Sequence, residues 1–288
     1  MSLHITPLTD PDVSLYSPRL VWLASDADAI PVGTAFLRLF ADAGQKHLAE
    51  LTIHVHPAER RKCVGSRLLD VAVAAARDDA RRCVIAQTES GTPGDRFLSA
   101  RGFRKVLTLK FTRLSLADVD ITTLAEIIER PRPGYRLASW QGTVPDDIAQ
   151  TFAASRRAMD DTDYGTVTWD VDRVRAVAQA VEERGDLLHT VVAIDKSDGS
   201  IAGFTELVVP GNGKGDGQHY GTGVLPEHRG HGLGRWMKAE SISQAHGRYP
   251  DLGGLLTDTA DNNTFMRHIN DSLGYHPTHE ALQFQLDL

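Results

Sequence analysis

The sequence predicts an α/β chain with mixed α+β sheets, built from two tandem copies of one domain, the first of them reduced. Two matches at nearly one spacing predict the duplication. Val55-His56-Pro57-Ala58-Glu59-Arg60 parallels Val224-Leu225-Pro226-Glu227-His228-Arg229, with the prolines 169 positions apart (226 − 57). Arg101-Gly102-Phe103 parallels Leu273-Gly274-Tyr275, with the glycines 172 apart (274 − 102). The third observation is the order of patterns around each match: strand, helix, strand, short helix, strand.

In the first copy, residues 18–39 read as two strands turning near 26–28. Residues 48–56 are β-branched and apolar, a strand. Residues 64–80 carry Ala and Leu at helical spacing, and 83–87 read as the next strand. A short helix over 94–100 ends at Gly102 as its C-cap, and 107–114 alternates as a closing strand. The second copy repeats this as strand 218–225, helix 233–245, strand 254–258, helix 264–273 capped by Gly274, and strand 282–286. Before them it adds two amphipathic helices, 145–159 and 170–185, and a hairpin of strands 188–194 and 201–208 turning at Asp198-Gly199. The helical pair has no counterpart in the first copy. Pro131-Arg132-Pro133-Gly134 breaks the chain between the copies. The expected domains are 1–118 and 135–288, joined by a linker over 119–134.

Composition narrows the function class. A chain of 288 residues, 41% hydrophobic and 24% charged, fits two soluble domains each burying its own core. Its longest apolar runs fall far short of a membrane span, and residues 1–10 have neither the basic start nor the apolar stretch of a signal peptide. The cytoplasm is the expected compartment. Cys63 and Cys83 form neither a disulfide framework nor a metal spacing, so no metal is expected. A net charge of −7 argues against nucleic-acid and anionic-membrane partners, which need clustered Lys and Arg.

The chemistry-bearing segment is Arg229-Gly230-His231-Gly232-Leu233-Gly234, between a strand and a helix. Such a turn aims unpaired backbone N–H groups in one direction, and the helix dipole adds positive potential there. Phosphate or pyrophosphate binds such a place readily. Gly232 and Gly234 are expected to let the backbone approach phosphate oxygens, and Arg229 to add charge-assisted hydrogen bonds. A dinucleotide fold is disfavoured because G-x-G-x-x-G is missing, and no Walker A lysine follows.

Arg229-x-x-Gly232-x-Gly234 resembles the (Gln/Arg)-x-x-Gly-x-(Gly/Ala) mark of the GNAT superfamily of acetyl-CoA-dependent N-acetyltransferases. Asn263 through Asn270 to Leu273-Gly274-Tyr275 resembles the family's second motif, and the duplication resembles tandem-GNAT proteins of actinobacterial type, such as the mycothiol synthases. The resemblance implies acetyl-CoA as co-substrate, bound by Gly223, Val224, Leu225, Arg229, Gly230, His231, Gly232, Leu233, Gly234 and Asn263. It also implies a backbone oxyanion donor beside Val224. In the first copy the aligned turn reads Arg60-Arg61-Lys62-Cys63-Val64-Gly65, so Cys63 replaces the first required glycine. The first domain is therefore expected to be a degenerate partner that takes the place of a second subunit, leaving a monomer that acts as a pseudo-dimer.

The implied reaction is direct attack of an amine on a thioester, which needs a proton acceptor and a proton donor. Positions that carry the base in many relatives are Gln218 and Tyr220 here, and Gln218 cannot serve. That counts against mycothiol synthesis itself. Glu206 on the preceding strand is the first choice of base, its alternative role being an ion-paired strand carboxylate. Tyr220 and Tyr275 are the candidate acids, with aromatic packing the alternative for Tyr275. His219 has the wrong parity to join Gln218 and Tyr220. Asn263 is either a helix cap or a pantetheine contact. Asp160-Asp161-Thr162-Asp163-Tyr164 could face a cationic acceptor or be a solvated loop, and the Gly-rich 211–217 reads as a mobile loop near the entrance. The expected acceptor is a primary amine of a small molecule. Alternatives are a peptide or protein amine, or a non-catalytic acyl-CoA sensor or scaffold.

Overall fold

The computed structural model describes residues 3–9, 18–159 and 167–288, so the acidic segment 160–164 lies outside the described residues. In chain order the elements are β1 (His4–Leu8), β2 (Arg19–Ser25), β3 (Pro31–Leu39), β4 (Leu48–Val55), α1 (Val64–Asp78), β5 (Cys83–Glu89), α2 (Pro93–Ala100) and β6 (Arg104–Ser115). Then follow α3 (Ile121–Glu129), β7 (Tyr135–Gln141), α4 (Ala149–Ser155), α5 (Val171–Glu183), β8 (Leu187–Asp195), β9 (Ile201–Val209) and β10 (Gly215–Val224). The chain ends with α6 (Leu233–Arg248), β11 (Leu252–Ala260), α7 (Thr264–Ser272) and β12 (His276–Asp287).

The described residues divide into two compact units, the first made of residues 3–9, 18–109, 167 and 280–288, the second of 110–159 and 168–279. This differs from the expected division. The segment expected as linker, in which residues 124–129 read as a short helical stretch, carries α3, which Asp120 caps through the Thr123 N–H. Leu124 and Ile127 of α3 are buried in the core of the second unit. The last strand also serves the first unit, because residues 281–287 pair antiparallel with β5. Such long-range pairings leave no local mark in the sequence.

The first unit orders its strands β1-β2-β3-β4-β5-β12, antiparallel except for the parallel pair β4–β5. Its helix α1 buries Val64, Leu68, Leu69, Ala72, Val73 and Ala76, which recur at the spacing of one helix face. Leu69, Ala72, Val73 and Ala76 pack on Leu37, Leu51, Val84 and Phe284 from the strands, and Val64 and Leu68 on Ala24, Val32 and Ala35. Each large aliphatic side chain so buried contributes about 1.5–3 kcal/mol.

The second unit orders its strands β6-β11-β10-β9-β8-β7, with β10 and β11 parallel. β9 is buried along its whole length, which explains its unbroken apolar run around Glu206. On one face lies α6, burying Leu233, Trp236, Met237, Ile242 and Ala245. On the other lie α4 and α5, with Phe152 and Val174 in a core shared with Ile194 and Phe204. The expected helix over 145–159 is shorter, because a 3-10 turn takes over at Arg156–Met159. Residues expected to form a mobile loop at the entrance instead make a turn, closed by Gly213 N–H on Pro210 C=O, and then the first residues of β10. They stand at the end of β10 opposite Arg229.

Two edge strands escape the sequence patterns. β1 and β7 expose much of one face, and β7 mixes polar and apolar residues. No helix is long and apolar enough to cross a membrane among the described residues.

Candidate active site

β10 determines the site because it is paired on both sides for only part of its length. Its parallel pairing with β11 ends at Gln218–Leu256, whereas its antiparallel pairing with β9 continues to Val224–Gly203. Beyond Gln218 the two parallel strands therefore splay, leaving one edge of β10 free of β11. A register shift between His219 and Gly221 makes Tyr220 the bulged residue.

The strand then runs through Leu225 into the glycine turn. Arg229 Nε donates to the Val224 carbonyl at 3.1 Å, fastening the turn to the strand end. Gly230 has φ 85° and Gly232 φ 72°, both left-handed, and Gly232 is the N-cap of α6. The structure thus corrects the expected reason for the glycines. Gly232 is favoured by its left-handed backbone angle, which a residue with a side chain adopts only at a cost. A Cβ on Gly234 would point at Ile269 Cδ1 at 3.4 Å and Val224 Cγ2 at 3.8 Å, into the packing of α6. Gly234 therefore serves close packing rather than phosphate access. Leu225 and Leu233 are buried and hold the turn to the core, while His231 lies at its rim with its ring 5.4 Å from that of Tyr135.

Positive charge surrounds the turn. Arg132 reaches within 4 Å of the Cβ position of Gly232 and lies over the Trp236 ring. Burial, then the neighbouring Arg130 and Arg235, push the Arg132 guanidinium below its usual range. The buried Nε of Arg235 makes no hydrogen bond. A helix N-terminus flanked by mutually repelling guanidinium groups, one with an orphaned N–H, fits a pyrophosphate. Neither Arg132 nor Arg235 was singled out from the sequence, since Arg132 sits in the Pro/Gly break and Arg235 reads as a helix-surface residue.

The sheet register assigns faces to the other residues. Gln218 pairs with both Val208 and Leu256, so Glu206, Val208, Gln218, Leu256 and Asp258 share one face. Gly221 pairs with Glu206 and Gly223 with Phe204, on that same face. A Cβ on Gly223 would lie 2.9 Å from Ala158 Cβ, so its glycine lets the turn at Arg156–Met159 lie against β10. Glu206 is not open to a substrate here. It is buried, and Arg156 Nη1 donates to its Oε2 at 2.5 Å. The Arg156 guanidinium is itself enclosed, 4.2 Å from the Trp169 ring and 4.7 Å from the Phe204 ring. Tyr220 is exposed, and its hydroxyl accepts from Arg184 at 2.9 Å.

Asp258, which the sequence did not single out, is exposed on the face of Glu206, just beyond the last β10–β11 pair. Desolvation by the protein crowding it raises its carboxyl above the usual carboxylate range, with Lys238 opposing that rise. Tyr275 belongs to the opposite, α6 face. Its side chain is buried, its hydroxyl makes no hydrogen bond, and burial pushes that hydroxyl well up. The structure thus separates Tyr275 from the face carrying Glu206 and Tyr220. Asn263 caps α7 by accepting from the Met266 N–H at 3.0 Å.

The turn, the splayed strands and the duplication have counterparts in known proteins. The Acetyltransferase (GNAT) family matches residues 5–103 and 154–275. The chain belongs to this family. The two matched stretches fall on the two copies. This GNAT chain is 27% identical over 267 residues to the mycothiol acetyltransferase of Thermobifida fusca (strain YX), covering 89% of the chain and 79% of that protein. It is 33% identical over 244 residues to that of Clavibacter sepedonicus, covering 83% and 72%. Among solved structures, it matches a tandem GNAT protein from the clavulanic acid biosynthesis pathway with a TM-score of 0.81. That match has 20% identity and covers 99% of this chain and 98% of the other. At that identity the likeness concerns the tandem GNAT fold alone.

Proposed function

We propose that the second unit transfers an acetyl group from acetyl-CoA to a primary amine of a small molecule, by direct attack on the thioester. The observation that carries this reading is the left-handed Gly232 turn at the α6 N-terminus, ringed by Arg132 and Arg235, opening onto the splay between β10 and β11. The pyrophosphate would bind the N–H groups of the turn, and the acyl arm would lie along the free edge of β10. There a backbone N–H beside Val224 would receive the thioester oxygen as charge develops on it.

Asp258 supplies the amine-side chemistry in this proposal. An exposed carboxylate with a raised pKa beside the splay accepts the proton of an incoming ammonium better than Glu206, whose lone pairs face a buried guanidinium. Glu206 then holds Arg156 and the wall of the acceptor pocket, and Tyr220 flanks the entrance. A primary amine on a small molecule fits a site walled by the turn at Arg156–Met159.

A second acceptor is favoured by the relatives' name: the acetyl acceptor of a mycothiol acetyltransferase. Gln218, at a position where those proteins tend to carry a carboxylate, weighs against it. The deciding experiment follows coenzyme A release with acetyl-CoA and a panel of amines, that acceptor included, for the wild type and Asp258→Asn. Turnover lowered about 100-fold in Asp258→Asn, with acetyl-CoA affinity unchanged, is the expected result. Acetyl-CoA binding without release of coenzyme A for any amine would overturn the enzyme reading in favour of a sensor.

A further inference from the structure

α6 carries a lysine that neither packing nor the surface explains. Lys238 is 1% exposed. Its Nζ donates to Asn270 Oδ1 on α7 at 2.7 Å and lies 4.8 Å from the centre of the Tyr275 ring. Asn270 Nδ2 in turn donates to Thr259 Oγ1 on β11 at 3.0 Å. Among the described residues no carboxylate forms an ion pair with it.

The first unit serves as an internal control. Its residues at the same two offsets are Leu69 for Lys238, Leu98 for Asn270 and Phe103 for Tyr275, all buried in an apolar core. The fold therefore closes this spot with hydrocarbon when it has no further task. A buried ammonium without a carboxylate partner is costly. Retaining Lys238, Asn270 and the Tyr275 hydroxyl in one copy alone points to a task of that copy.

Their position suggests the task. Thr259 lies beyond the last β10–β11 pair, and so does His219, whose two ring nitrogens are buried and whose one polar neighbour on β9 is the Glu206 backbone carbonyl. With the orphaned Tyr275 Oη, these polar atoms and the ammonium gather on the α6 side of the splay. Asp258 faces the splay from the other side, close enough for Lys238 to act on its charge.

We propose that Lys238 is the proton donor to the departing sulfur of coenzyme A, with Asn270 as the positioning residue that aims it. This rests on the acetyltransferase reading above. The amine nitrogen bonds to the thioester carbon and the C–S bond breaks, its electron pair passing to sulfur. Lys238 Nζ gives a proton to that sulfur and becomes a neutral amine. The proton lost from the substrate nitrogen goes to Asp258, and both groups re-equilibrate with water.

Burial pushes the Lys238 ammonium down to about 7, with Asp258 opposing the shift. A donor of that strength gives its proton readily to a thiolate, whose conjugate acid ordinarily lies near about 8.5. The titratable groups facing Lys238 are His219 on β10, Asp258 on β11 and Tyr275 before β12, whereas α7 presents the uncharged Asn270. Burial and the Lys238 charge hold His219 well below its usual range, so it stays neutral through the working pH range.

The test compares Lys238→Met and Lys238→Arg with wild type, using acetyl-CoA and an amine that the wild type acetylates. Both variants should bind acetyl-CoA within about twofold of wild type and lose about 100-fold or more in kcat. They should also lack the decline of kcat above about pH 7 that deprotonation of Lys238 imposes. Arginine keeps the charge but cannot release a proton, so recovery of kcat in Lys238→Arg would overturn proton donation. Unchanged kcat in Lys238→Met would do the same. Wild-type protein that binds acetyl-CoA but acetylates nothing would instead remove the acetyltransferase reading. Should either variant misfold, Lys238→Leu with Asn270→Leu copies the core of the first unit and gives the same comparison. Titration of the Lys238 amine by 15N NMR in wild type needs no variant. A midpoint near 7 supports the donor, and one above about 9.5 overturns it.

Discussion

Cys63 and Gly232 hold the same left-handed backbone, φ 65° and ψ 7° in one, φ 72° and ψ 16° in the other. Arg61 likewise repeats the sign of Gly230, at φ 66° against 85°. The turn before α1 therefore keeps its shape without its glycines, and Arg60 Nε still donates to the Val55 carbonyl as Arg229 does to Val224. A side chain in this conformation costs about 1–2 kcal/mol. Cys63→Gly should accordingly stabilise the first unit by up to about 1 kcal/mol after the extra freedom of glycine in the unfolded chain is subtracted. Urea denaturation measures it; a loss of stability would show that the Cys63 side chain makes contacts worth more than the strain.

Arg156 and Glu206 make a second, independent prediction. Removing one member of a buried pair leaves the other charge uncompensated, so Arg156→Met or Glu206→Gln should each cost about 3–5 kcal/mol. The double variant should lose much less than the sum, since the two residues touch. Additive losses in a double-mutant cycle would mean that the pair is not coupled.

Arg132 bears on the anion site. If the turn at Gly232 receives a pyrophosphate, Arg132→Ala should weaken acetyl-CoA binding about tenfold, or about 1.4 kcal/mol. The wild-type affinity should fall faster with added salt than that of the variant. Calorimetry at two ionic strengths checks both, and equal affinities would place the phosphates elsewhere.

His189 predicts an acid-side loss of stability. Burial, with Arg248 nearby, pushes its imidazole down to about 4, and its Nε2 lies 2.6 Å from the Tyr249 hydroxyl. The unfolded chain, with an ordinary value near about 6.5, binds the proton more readily than the folded one. Its contribution is therefore complete above about pH 6.5 and drains away as pH falls toward 4, by at most about 3 kcal/mol. His189→Gln should flatten the stability curve between those values. A variant whose curve stays parallel to wild type would remove His189 as the cause.

The residues that were legible in the sequence are those whose role is local. Gly232 follows a strand and opens a helix, so its conformation could be read from its neighbours, and Pro57 and Pro226 exposed the repeat. Tandem GNAT copies, with the α4–α5 pair lacking a counterpart among the described residues of the first, followed from such signals. Lys238 and Arg156 could not be read this way, because burial of a charged side chain is decided by elements far away in sequence. Lys238 sits among Trp236, Met237 and Ala239 on a helix that could as well have turned it to solvent. Glu206 was legible as a charge inside a strand, whereas its partner, 50 positions earlier, was not. Asp258 was hidden because its importance comes from where the β10–β11 pairing stops.

The pairing of residues 281–287 with β5 reaches back across nearly two hundred positions. During synthesis on the ribosome, the first unit emerges with β5 lacking a neighbour on that side, and it stays so until the second unit has been made. For that interval an apolar strand edge is open to intermolecular pairing. Expression of residues 1–109 alone should yield aggregation-prone material, and adding residues 280–288 as a separate peptide should restore solubility. The two halves of this duplicated chain are thus bound to a common maturation, however unequal their chemistry.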